Sequence, residues 1–109
     1  MKIGVITDCF KKTHTDGIQK AAALGLDGVQ IYATTGDFSP ELSVDKKAAY
    51  KQLLKENGLV VSALCGDMGG YGFEIEKDNP ERIEKTKKII DLAVEFNTKV
   101  VTTHIGVIP

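Results

Sequence analysis

Apolar residues fall into two kinds of run along this chain. Four short stretches rich in Val and Ile, Lys2–Thr7 (KIGVIT), Gly28–Ala33 (GVQIYA), Val60–Cys65 (VVSALC) and Lys99–Thr103 (KVVTT), alternate only partly with polar residues. That pattern predicts strands covered on both faces rather than one half-solvated sheet. Between them lie segments with helical spacing. In the first, Ile18, Ala21, Ala22 and Gly25 share a face and Asp16 is placed to cap it. The second runs from about Val44 to Asn57, with Ser43 as N-cap, Leu53 and Leu54 facing inward, and Gly58 where a left-handed residue belongs. The third offers Asn79 as N-cap, Pro80 at the first helical position and Glu81 in the first turn, with Ile83, Ile90, Ala93 and Val94 on one face.

The predicted order is β-α-β-α-β-α-β. Strict alternation implies parallel strands joined by right-handed crossovers, because each helix must return the chain to the end of the sheet where the next strand begins. In such folds the loops after the strands form the functional face. The chain's chemically distinctive residues fall there: Asp8, Cys9 and His14 after the first strand; Tyr32, Thr34, Thr35 and Asp37 after the second; GDMGGYGFEIEKDN after the third; His104 after the fourth. The opposite loops, ALGLDG, KENGL and EFNTK, are short and architectural.

Composition narrows the partners. A chain of 109 residues predicts one domain, and a net charge of -1 gives no field that would gather nucleic acid or an anionic membrane. No run is long and apolar enough to span a bilayer, and MKIGVITD is too short before its first acid to be a secretory signal. Cys9 and Cys65 form neither a CxxC motif nor a disulfide framework, so free thiols in the cytoplasm are expected.

His104, at the tip of the fourth strand, could ligate a metal or bind a substrate hydroxyl; satisfaction by neighbouring backbone is the competing reading. Asp8 and Asp67 could face each other across a cleft as paired carboxylates, or each could simply cap the loop it opens. CGDMGGYG, with Gly66, Gly69, Gly70 and Gly72, lacks the ending of a phosphate-binding P-loop and reads as a flexible substrate loop, with Tyr71 and Phe73 as apolar contacts. His14, among Lys11, Lys12 and Thr13, is expected on a solvated loop without a role. Cys65 reads as a small buried residue rather than a nucleophile, since no base adjoins it in sequence.

MKIGVITD, AAALGLDGVQIYA, LLKENGLVVSALCGDMGG and AVEFNTKVVTTHIG together resemble the sugar phosphate isomerases and epimerases of the xylose-isomerase-like TIM barrels, a superfamily that also holds the apurinic-site endonucleases. The most specific parts are G-x-DGVQ and THIG. The resemblance covers essentially the whole chain and implies the N-terminal half of an eight-stranded barrel, a single partial domain over residues 1–109, expected to be a fragment of a longer protein. It also implies a reaction in which a divalent metal (Mn, Mg, Co or Zn) holds adjacent sugar oxygens while a proton or hydride moves between neighbouring carbons. The family's principal metal ligands come from later strands, so this chain alone is expected to be inactive and to hold no metal confidently. His104 carries over as a residue close to metal or substrate, and Tyr32, Cys65 and Asp67 as substrate contacts.

Two departures refine the resemblance. Gln30 stands where several relatives carry an acid, and CGD replaces the histidine that the endonuclease branch has near the third strand tip. The second departure, with the near-neutral charge, favours a sugar or sugar phosphate over DNA. The alternatives are a non-catalytic ligand-binding or self-associating half barrel and, more distantly, a receiver-like switch with Asp8, Asp67 and Thr102 or Thr103 at strand tips. A half barrel leaves the outer strands unpaired, so two copies pairing edge to edge are expected.

Overall fold

The computed structural model describes residues 1–11, 13–34 and 38–106; Lys12, Thr35 and Asp37, named above, lie outside the described residues. The elements are β1 (Gly4–Ile6), α1 (His14–Ala23), β2 (Gly28–Tyr32), α2 (Val44–Glu56), β3 (Val60–Cys65), α3 (Asn79–Glu95) and β4 (Val101–Thr102), with 3-10 turns at Thr7–Phe10 and Glu76–Asp78. All strand pairs are parallel and the sheet order is β1-β2-β3-β4. Sequential order is what barrel closure requires. A doubly wound sheet reverses direction near its first strand, so this order removes the receiver-like alternative.

The helices stop by one device. After α1, Gly25 takes φ +75 and Leu26 N–H donates to the Ala21 carbonyl at 3.1 Å. After α2, Gly58 takes φ +66 and Leu59 N–H reaches the Leu54 carbonyl at 3.0 Å. After α3, Asn97 takes φ +64 and Thr98 N–H reaches the Ala93 carbonyl at 3.0 Å. Each is a Schellman stop, which satisfies carbonyls the helix would otherwise leave open and turns the chain into the next strand. Asparagine tolerates the left-handed region well enough to serve at the third.

Helix starts differ from the sequence expectation in two places. Thr13, not Asp16, caps α1: its hydroxyl accepts the Asp16 N–H at 3.2 Å, so Asp16 sits inside the first turn. His14 is therefore the first residue of α1, not part of a solvated loop. α2 begins as expected, with the Ser43 hydroxyl accepting Lys46 N–H at 3.3 Å. α3 begins one residue earlier than expected, directly after a 3-10 turn, with Asp78 in the capping position and Asn79 already helical.

One face of the sheet packs on the helices. Val29, Ile31 and Ala33 from β2 and its end, with Val61 and Leu64 from β3, join Ile18, Ala21, Leu54, Ile89, Leu92, Ala93 and Phe96 in a single core. On α3 the inward stripe is Ile89, Leu92, Ala93 and Phe96; the expected Ile83, Ile90 and Val94 are 46%, 48% and 72% exposed. The helix carries two apolar stripes, and only Ala93 of the expected set lies on the one that meets the sheet. Phe38 is fully buried and makes edge-on contacts with His14, Tyr50 and Phe96, at centroid distances of 6.0, 5.1 and 4.9 Å.

The other face is more polar. Register sets Ile6, Gln30 and Ala63 in one row, and Tyr32, Cys65 and Thr102 in the next. A bulge opposite Val29 and Gln30 inserts Ser62, whose hydroxyl donates to the Val29 carbonyl at 3.1 Å. Gln30 spans from β2 to β4, its amide donating to the Thr102 hydroxyl at 3.1 Å.

The loop after β3 folds onto the segment after β4. Phe73 N–H donates to the Ile105 carbonyl at 3.1 Å, and the chain's one arginine, Arg82 on α3, donates to the Gly69 carbonyl at 3.1 Å. Gly72 lies so close that a Cβ on it would stand 2.6 Å from both the Gly106 nitrogen and the His104 carbonyl oxygen. The loop expected to be flexible is thus tied at both ends of its glycine run. Gly69 and Gly72 both have positive φ, +74 and +64, but nothing lies within 4 Å of a Cβ at Gly69. Gly69→Ala therefore incurs the left-handed penalty alone, about 1 kcal/mol. Gly72→Ala should lose about 2 kcal/mol or more in denaturant melts, because it also forces the two segments apart. It should move the Ile105 and Gly106 amide resonances, whereas Gly69→Ala leaves them in place; equal effects would mean the two segments are not interlocked.

Candidate functional site

Because the strands are parallel and in sequential order, their C-terminal tips form one rim, and the residues nominated from the sequence gather along it. Tyr32 and Cys65 are register partners at the ends of β2 and β3. Cys65 is buried, while Tyr32 is half-buried on the polar face. Asp67 follows β3 and His104 follows β4; the His104 Nδ1 lies 3.9 Å from Asp67 Oδ1, with side chains 43% and 35% exposed. That is ion-pair range rather than a hydrogen bond. The same Asp67 oxygen accepts Gly69 N–H at 2.8 Å, an Asx turn that fixes the carboxylate's position.

Asp8 enters the site differently from the cleft pairing considered above. It lies in the 3-10 turn after β1, 3.7 Å from the His14 Nδ1, and that nitrogen also meets the Thr7 hydroxyl at 3.2 Å. His14 is 13% exposed and latches the tip of β1 to the start of α1. Its signal in the sequence was weak: only recognising Thr13 as the cap would have placed it on a helix. Arg82 was likewise missed as the support of the glycine loop, although a single guanidinium fork shortly after a run of exposed carbonyls is a usable clue.

Electrostatically the rim is acidic around Tyr32. The charge of Cys65 and its hydrogen bond with the phenol raise the Tyr32 pKa above its ordinary 10.0; partial burial adds to this, and the Asp67 and Asp8 carboxylates contribute further. The shift favours the protonated phenol, which donates to Cys65. Among the described residues no three His, Cys, Asp or Glu side chains are placed to hold a metal ion together. Asp67 and His104 could form one side of such a centre, but the donors here do not complete it. An open apolar groove of ≈ 500 Å³ between α1 and α2 is lined by Thr13, Thr15, Lys46, Ala49, Tyr50 and Leu53 and offers no comparable chemistry. No helix among the described residues is long and apolar enough to cross a membrane.

Parallel β/α units in sequential order, with polar residues collected at the strand tips, define a partial β/α barrel. The chain belongs to the xylose isomerase-like TIM barrel family, whose model matches residues 18–109. No curated protein matches it. Among solved structures it is similar to a sugar phosphate isomerase/epimerase from Parabacteroides distasonis (19% identity, TM-score 0.64, covering 98% of this chain and 40% of that one). It is also similar to an AP endonuclease, family 2, from Brucella melitensis (15%, TM-score 0.71, 97% and 42%). A third is the probable 3-DHS dehydratase AsbF of Bacillus anthracis (20%, TM-score 0.70, 94% and 38%). The chain therefore spans about two fifths of the length of each, between 38% and 42%. At these identities the likeness establishes the fold.

The Tyr32 shift has a measurable sign. A folded pKa above the unfolded one means that the stabilisation is fully present below about pH 10 and is lost as pH rises through the folded value. In an absorbance titration of the phenols, Tyr32 should ionise after free tyrosine, and Cys65→Ala should bring it back toward the ordinary value. Above pH 10 the wild type should lose stability relative to Tyr32→Phe; parallel pH profiles for the two proteins would refute the shift.

Proposed function

We propose that this chain forms the first wall of a metal-dependent sugar or sugar phosphate isomerase/epimerase site and is inactive without the remaining β/α units. The observation that carries this reading is the convergence of Tyr32, Cys65, Asp67 and His104 on one strand-tip rim of a chain in this family. The near-neutral charge and the CGD sequence favour a sugar over abasic DNA, although structures of both kinds share the fold. The protein acts in the cytoplasm on such a sugar.

Each residue has a role suited to its surroundings. The Tyr32 hydroxyl, its proton directed at Cys65, accepts from a sugar hydroxyl through its oxygen, and Cys65 beside it shapes the apolar side of the contact. His104 binds a hydroxyl or holds a proton at its free ring nitrogen, and Asp67 sets the local charge. The divalent metal would draw its principal ligands from outside these residues.

The test uses the protein as its source cells make it, incubated in D2O with Mn2+ and a panel of ketoses and ketose phosphates. Substrate should convert to its isomer or epimer, with deuterium entering at a carbon next to the carbonyl where a proton moves and staying out where a hydride moves. His104→Asn should slow that conversion by about 100-fold or more, and the 109-residue chain alone should give none. Cleavage of abasic-site DNA without conversion of any sugar would overturn the reading.

A second reading, self-association, draws on the sheet edges. Among the described residues β1 pairs with β2 alone and β4 with β3 alone, and Ile3 and Val100 beside these edges are 52% and 49% exposed. Two copies of the isolated chain pairing edge to edge would satisfy those backbone groups. Sedimentation should then give a concentration-dependent dimer; a stable monomer with a cooperative melt at micromolar concentration would rule it out.

A further inference from the structure

We infer that Asp67 is a positioning residue for His104: it selects the tautomer with the proton on Nδ1 and so leaves Nε2 as the nitrogen offered to substrate or metal. This deepens the sugar-site reading and rests on it for the identity of the ligand, but its geometry stands independently. Asp67 Oδ1 is the carboxylate oxygen that faces the ring, 3.9 Å from Nδ1. Both partners are held in place by their loops. The Asp67 carboxylate is anchored by Gly69 N–H at 2.8 Å, and Gly69 in turn by Arg82 at 3.1 Å. His104 is held by the segment that follows it, through Phe73 N–H on the Ile105 carbonyl at 3.1 Å and through the close approach of Gly72 to the His104 carbonyl.

The consequence follows from imidazole chemistry. A neutral ring carries one proton, and which nitrogen bears it depends on the hydrogen bond the other atom can make. A carboxylate is an acceptor only, so one facing Nδ1 favours a proton there and leaves the Nε2 lone pair free. At 3.9 Å the carboxylate acts on the ring through its charge, which favours the proton on the nearer nitrogen, Nδ1, and rotation of the His104 ring toward the fixed carboxylate would bring the two within hydrogen-bond reach. Gly69, Gly70 and Gly72 thereby acquire a purpose beyond flexibility. They shape a loop that carries a carboxylate from the end of β3 to the side of a histidine at the end of β4, while Arg82 fixes the loop from α3.

The test reads the tautomer directly, without sugar, metal or activity. In the 15N-labelled chain, long-range proton–nitrogen correlation at a pH about two units above the ordinary histidine value resolves His14 from His104, with His104→Gln assigning the signals. His104 should be mainly Nδ1–H in the wild type. In Asp67→Ala the Nδ1–H to Nε2–H ratio should fall by about tenfold, with the His14 signal and the Phe73 amide unchanged as evidence that the loop persists. Asp67→Asn keeps an oxygen for Gly69 and should retain more of the Nδ1–H form than Asp67→Ala, which separates loss of the acceptor from loss of the turn. A wild-type His104 that is mainly Nε2–H overturns the inference even if no variant folds, and so does a tautomer ratio indifferent to Asp67→Ala. Because no substrate is present, the sugar reading can fail in its own assay while this result stands, and the reverse also holds.

Discussion

One buried ring ties the helical layer together. Phe38, in the long connection between β2 and α2, meets His14 at the start of α1, Tyr50 within α2 and Phe96 at the end of α3, each edge-on. Edge-to-face packing adds to the transfer energy of a large aromatic, and removing such a ring typically costs about 3–5 kcal/mol. The placement matters more than the magnitude. Neighbouring helices also meet directly, α1 against α2 and α2 against α3 through the Lys47–Glu95 pair at 3.1 Å, and Phe38 adds one side chain shared by all three. His14 is also the residue that latches the β1 tip through Thr7 and Asp8. The core contact and the rim are therefore mechanically linked at that end of the site.

The sheet divides its labour by face. Val29, Ile31, Val61 and Leu64 supply the core, while Gln30, Tyr32, Cys65 and Thr102 stand on the opposite side. In a central parallel strand a polar residue on both faces would be costly, because buried polar groups need partners. Here the polar face is satisfied from within: Gln30 bonds Thr102 across β3, which is possible because the residue in its row on β3 is the small Ala63. A carboxylate at Gln30 could not donate that bond. The amide thus ties β2 to the short strand that precedes His104.

Much of this was legible in the sequence because it depends on local chemistry. β3 spans Val60–Cys65 as its Val-rich run predicts, Ser43 caps α2, and Gly58 takes the left-handed stop. The three loops read as architectural all hold the same type of stop, two with glycine and one with asparagine. The misreadings share a cause as well. Asp16 and Thr13 are both good caps, and only the tertiary position of the first turn chooses between them. On α3, Ile83, Ile90 and Val94 form as plausible an apolar stripe as Ile89, Leu92, Ala93 and Phe96, and periodicity cannot say which stripe the sheet receives. A glycine-rich loop looks flexible until its partner segment is known, and here that partner is far along the chain at Ile105 and Gly106.

The site was legible as a set of residues and not as an arrangement. Strand-tip logic nominates Tyr32, Cys65, Asp67 and His104 independently of one another, since each simply follows or ends a strand. That Tyr32 should sit against Cys65, and Asp67 beside His104, follows from the parallel register, which sets Tyr32 opposite Cys65 and Cys65 opposite Thr102, two residues before His104. Once that register exists, Asp67 is the first residue after β3 with a short acidic side chain, at a height that matches the residue leaving β4. Fold membership shared by an isomerase/epimerase, an endonuclease and a dehydratase then places a common scaffold under different chemistries. The local content of this chain's rim is a phenol whose protonated form is favoured by Cys65 first, then by partial burial and the Asp67 and Asp8 carboxylates, and a carboxylate 3.9 Å from a histidine on a loop too tightly packed at Gly72 to admit a side chain.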